Sequence, residues 1–111
     1  MKTVRAIVIQ PNAEPEIVQM GTDLEDLQEK VGGLIEEAVV RPKRRYTIYV
    51  NECGRINGMH FNRSIKFDST NEDFADEAWN THDLYGPILL FKKKGFTEEE
   101  AKALCAEWRQ Q

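Results

Sequence analysis

The chain has 111 residues, 41% hydrophobic and 31% charged, the size and composition of one globular domain rather than of a disordered or fibrous chain. Lysine and arginine number 15 against 19 acids, a net charge of −4, which argues against a dedicated nucleic-acid binder because phosphate contacts need a basic surface. No apolar run approaches the ~20 residues of a membrane span, and Arg5 interrupts the stretch a signal peptide would need to keep apolar. A cytoplasmic protein is expected, with Cys53 and Cys105 as reduced thiols, since neither has a CxxC partner.

Residues 3–9 are rich in β-branched side chains and read as a strand. Val4, Ala6 and Val8 share one face, and Ile7 and Ile9 make the other apolar too, which predicts a central position in a sheet. Pro11, Asn12 and Pro15 mark a turn, and residues 16–20 read as a returning strand. Thr22 and Glu25 have the spacing of a capping box, Leu24, Leu27 and Val31 share a helical face, and Gly32-Gly33 supplies a left-handed stop. These signals predict a helix over about 22–32.

Residues 34–40 read as a further strand, and Arg41-Pro42-Lys43-Arg44 as a turn. Residues 45–51 alternate, with Tyr46, Ile48 and Val50 on one face, and the Glu52-Cys53-Gly54-Arg55 connection predicts a β-hairpin over 45–59. Residues 68–83 hold six acids and no lysine or arginine, and are expected to form an exposed insertion with a short helix near Phe74–Trp79. The nearly continuous apolar run Gly86-Pro87-Ile88-Leu89-Leu90-Phe91 reads as a buried strand. Thr97 and Glu100 repeat the capping box ahead of an apolar stripe of Ala101, Leu104, Cys105 and Trp108, predicting a second helix over about 97–110. The sum is a single α+β domain with a mostly antiparallel sheet and both helices on one face as the simplest arrangement.

One set of ordered spacings resembles a known family. Val31-Gly32-Gly33-x-Ile35-Glu36, then Asn51-Glu52-x-Gly54-x-x-x-Gly58-x-x-x-Asn62, then Gly86-Pro87 before an apolar strand, is similar to the domain of unknown function numbered 3846. The likeness covers nearly the whole chain. His60 stands where members often carry proline, and the acidic segment looks longer than usual. The resemblance implies an accessory factor of phages or mobile elements and transfers no catalytic residue.

The Asn51–Asn62 segment is the leading candidate site for a small ligand. Asn51, Glu52 and Asn62 offer amides and a carboxylate, and Arg55 and Arg63 could pair with the phosphate of a nucleotide-like molecule. The competing reading is that Asn51 and Gly54 build a turn and Asn62 hydrogen-bonds to nearby backbone. Cys53 with His60 could be posed as nucleophile and base, and Cys53, His60, His82 and Asp83 as metal ligands, but no spacing supports either. The expectation is therefore no catalytic residues, no metal and no cofactor.

Charge segregation is the other signal. Residues 41–66 hold seven basic side chains against Glu52 alone, a balance of +6, and residues 67–91 carry −6. Such a dipolar surface can steer a charged partner, or the two segments can simply neutralise each other. Asp73, Phe74, Asp76, Glu77 and Trp79 are the candidate protein interface, with the aromatics as anchors. A protein partner is favoured, nucleic acid disfavoured, and the two-faced first strand leaves room for a homodimer.

Overall fold

A computed structural model describes residues 2–38, 46–66 and 81–109. Among these, strands β1 (Val4–Ile9), β2 (Glu16–Met20), β3 (Ile35–Glu37), β4 (Thr47–Asn51), β5 (Phe61–Lys66), β6 (Thr81–Tyr85) and β7 (Ile88–Phe91) combine with helices α1 (Leu24–Val31) and α2 (Glu98–Arg109). Five strands form one sheet in the order β2-β1-β7-β4-β3, and β5 and β6 form a separate pair. Every pairing is antiparallel, as expected for the α+β class.

The large sheet is buried on both faces. Val4, Ala6, Val8, Leu89 and Phe91 pack under Leu27 and Val31 of α1. Ile7, Ile9, Ile48, Val50, Ile88 and Leu90 pack under Ala101, Cys105 and Trp108 of α2, joined by Ile65 and Leu84 of the β5–β6 pair. The two helices therefore lie on opposite faces, which corrects the expectation of one face. The physical reason is in β1 and β7, whose residues are apolar on both sides and would leave one face in water if both helices shared the other. On the α2 side, Trp108 is fully buried and its indole Nε1–H donates to the Tyr46 hydroxyl at 3.3 Å.

Three further expectations change. The start of α1 lies one residue later than Thr22: Asp23 is the N-cap, and the Asp26 carboxylate accepts from the Asp23 backbone N–H at 3.1 Å. Gly32 closes the helix in the left-handed region at φ +77°, as its position predicts. The 45–59 hairpin does not form, because β4 already has β3 and β7 on its two edges. Residues 52–58 instead wind into a compact turn, with Asn57 N–H donating to the Cys53 carbonyl at 2.8 Å and Met59 N–H to Gly54 at 2.9 Å. This turn hands the chain to β5, which pairs with β6.

The strand β6 occupies the end of the stretch expected as an exposed insertion, and its Leu84 is buried in the α2-side core. The rest of that stretch, with the short helix near Phe74–Trp79, lies outside the described residues, as do the basic residues 41–45. Around Thr97 the expected capping box is present in both directions: Thr97 N–H donates to Glu100 Oε1 at 2.9 Å, and Glu100 N–H donates to Thr97 Oγ1 at 3.1 Å.

Candidate functional site

The residues that carry the sequence motif converge on one end of the large sheet, where they divide into a buried set and a surface set. The buried set begins with a β-bulge. Phe61 pairs with Tyr85 and Arg63 with Leu84, so Asn62 is an extra residue on β5. The bulge sends two successive side chains inward, leaving Asn62 8% and Arg63 6% exposed. Asn62 Nδ2 donates to the Ile9 carbonyl at 2.8 Å and the Gly86 carbonyl at 2.7 Å, tying the small sheet to the large one. Arg63 Nε donates to the Trp108 carbonyl in the last turn of α2 at 2.8 Å, Nη1 to Asn62 Oδ1 at 2.6 Å, and Nη2 to the Ala13 carbonyl at 3.2 Å.

All three Arg63 acceptors are neutral oxygens, and burial pulls its pKa below the ordinary arginine value. The negative end of the α2 dipole, at Trp108, offsets part of that cost. Asn51, 6% exposed, does similar work under α1. Its Nδ2 donates to the Val31 carbonyl at 3.1 Å and its Oδ1 accepts from Cys53 N–H at 2.8 Å. Gly33 permits this approach, since a Cβ there would stand 2.9 Å from Asn51 Nδ2. Asn51, Asn62 and Arg63 thus direct their polar atoms to the protein's own backbone and, for Asn62 and Arg63, to each other.

Glu52 and Arg55 belong to the surface set. They line a groove of about 330 Å³ together with Glu36, Val50, Asn51, Asp83, Leu84 and Tyr85. The Arg55 guanidinium lies 5.7 Å from the centre of the Tyr85 ring, and Tyr85 meets Phe61 edge-to-face at 5.8 Å. Ser64 Oγ donates to Asp83. Three large apolar residues linked to groove residues are exposed: Phe61, against Tyr85, is 50% exposed, Ile56, next to Arg55 in the chain, is 86% exposed, and Leu34, whose carbonyl accepts from Glu52 N–H, is 60% exposed. Among the described residues no three His, Cys, Asp or Glu side chains could hold one metal ion. The carboxylates of Glu36, Glu52 and Asp83 are therefore spread along the groove rather than gathered at a point.

The model of one family, Domain of unknown function (DUF3846), matches residues 1–108 of the chain. The chain belongs to this family. No curated protein and no solved structure matches it. For this DUF3846 member, the geometry separates the five residues expected at a ligand site: Glu52 and Arg55 are exposed in the groove, Asn51 lines it while its amide is bonded to backbone, and Asn62 and Arg63 are held inside the fold. Cys53 is half-buried and His60 exposed, and among the described residues no hydrogen bond joins them. The candidate interface residues Asp73, Phe74, Asp76, Glu77 and Trp79 lie outside the described residues. Sequence reasoning missed Glu36, Asp83 and Tyr85 as groove residues. Tyr85 before Gly86-Pro87 was the available signal, an aromatic at the end of a strand, but it lacked a partner until β5 was known to pair beside it.

Proposed function

We propose that this DUF3846 protein is a non-enzymatic binding protein whose partner is another protein, acting in the cytoplasm as an accessory factor of a phage or mobile element. The binding part of this reading is carried by the half-buried Tyr85, with the Arg55 guanidinium over its ring and the exposed Phe61 against its edge, and by Ile56, 86% exposed and next to Arg55 in the chain. Tyrosine and arginine are the side chains that anchor interfaces, and exposed large apolar side chains beside them suit the same use. The phage setting comes from the resemblance of the motif. A nucleotide-like ligand would have to use the same groove through Glu52 and Arg55, where three carboxylates oppose its phosphates.

The test is affinity capture at about 0.15 M salt, where surface charge contacts are screened beyond ~8 Å. Wild type and Leu24→Asp, altered at the far end of α1, should retain one stoichiometric protein that Ile56→Asp loses. Retention by Ile56→Asp, or no protein partner in any host lysate, overturns the reading.

A further inference from the structure

We infer that the open edge of β3 is a strand-addition site for an extended, basic segment of the partner protein, with its lysines or arginines reaching Glu36, Glu52 and Asp83. This rests on the protein-binding reading above and specifies which part of the partner binds and how. Among the described residues, strand β3 ends the large sheet and has β4 as its one neighbour. Leu34 C=O accepts from Glu52 N–H, and Ala38 N–H donates to Ile48 C=O, each at 2.8 Å. In an antiparallel pair such bonds alternate, so the N–H and C=O groups of Ile35 and Glu37, between these positions, point away from β4. Among the described residues those groups have no backbone partner. A strand laid along this edge would satisfy them.

The chemistry of the segment follows from what flanks the edge. Glu36 pairs with Val50 and shares its face, which is the face of the groove, so alternate side chains of an added strand would overhang Glu36, Glu52 and Asp83. Arg55, the one cation among the described residues lining the groove, lies over the Tyr85 ring. A second copy of β3 paired about Glu36 would bring its own Glu36 against the same carboxylates, and directly opposed like charges disfavour pairing. A neutral strand would cover the carboxylates without pairing them. A basic strand gains both the backbone bonds and the charge match. The opposite edge, β2, lacks this bias: its groove with α2 carries Lys102 and Arg109 beside Glu16.

The test is a titration of the isotope-labelled full chain, followed by amide NMR, with three eight-residue peptides. One alternates lysine and valine, one alternates glutamate and valine, and one is the lysine peptide N-methylated on every second amide. The lysine peptide should shift the amides of residues 34–38 and bind at least tenfold more tightly than either of the others. Glu52→Lys alone, and Glu36→Lys with Glu52→Lys, should weaken it about tenfold or more while leaving the spectrum of the fold intact, since both glutamates are exposed. Equal binding of the N-methylated peptide, or no shift at Ile35 and Glu37, overturns strand addition. Self-association abolished by Glu36→Lys would assign the edge to a second copy and also overturn it. If the peptide fails while Ile56→Asp still loses the captured partner, this inference falls and the protein-binding reading stands.

Discussion

Asn62 and Arg63 are consecutive residues that both point into the core, where Arg63 Nη1 donates to Asn62 Oδ1 at 2.6 Å. A regular strand would send one of them outward; the bulge opposite Leu84 turns both inward. Together they join β1, the β1–β2 turn, the approach to β7 and the end of α2. Arg63→Met leaves two carbonyls and an amide oxygen without this donor and should cost about 2–4 kcal/mol of stability, read from the urea midpoint. Asn62→Ala combined with Arg63→Met should lose less than the sum of the single losses, with a coupling of about 0.5–3 kcal/mol.

Asn51 gives a second stability prediction with a pH signature. Asn51→Asp places a carboxylate against the Val31 carbonyl at the negative end of α1, where Asn51 Nδ2 now donates. The new aspartate should have a raised pKa in the folded state, because its neutral form can donate to that carbonyl. Its penalty, about 1–3 kcal/mol at neutral pH, should grow as pH rises above the ordinary aspartate range and shrink in acid. Melting temperatures of the variant and wild type across pH 3–8 read this convergence. Gly33→Ala should also destabilise, at any pH, by pushing a Cβ into the same amide.

The Glu100 carboxylate is held below the usual carboxylate range, first by the Thr97 backbone N–H and then by the Lys92 ammonium 3.2 Å away. A depressed folded-state pKa contributes stability that is complete above the unfolded value and is lost as pH falls through the folded one. Glu100→Gln should therefore melt lower than wild type at neutral pH. The gap should close as pH drops below about 4.3, the free glutamate value.

Thiol chemistry should distinguish the two cysteines. Burial raises the Cys105 pKa, and the residue is 7% exposed on the buried face of α2. Cys53 is half-buried on the surface turn. A disulfide reagent at neutral pH should label one thiol in the native protein, at Cys53, and two in urea, as mass spectrometry would show.

What the sequence made legible was local. The Thr97–Glu100 box, Gly32 at φ +77° and the continuous run Ile88–Phe91 each carry their signal within a few residues. The α1 cap moved by one residue because Asp23–Asp26 satisfies the same pattern as Thr22–Glu25. Features that depend on tertiary occupancy were not legible. Asn51–Gly54 has hairpin-turn chemistry, but a hairpin needs a free edge on β4, and β7, made from residues far along the chain, takes it. Strands β5 and β6 escaped notice because their alternation is broken by Asn62–Arg63 on one side and by Thr81, His82 and Asp83 on the other. The same bulge explains why two polar residues that look like ligand contacts hold the fold together.

The antiparallel pair of β1 and β7, with Ile9 opposite Ile88, joins positions separated by roughly 80 residues. Strand β7 is the middle of the sheet and the floor of both cores, so neither face can close before it exists. At the usual pace of translation, those intervening residues take about 4–16 s to synthesise. For that interval the Val-Arg-Ala-Ile-Val-Ile strand has β2 available on one edge, but its other edge and both of its apolar faces lack β7, the kind of transiently exposed strand that makes a newborn chain prone to aggregation.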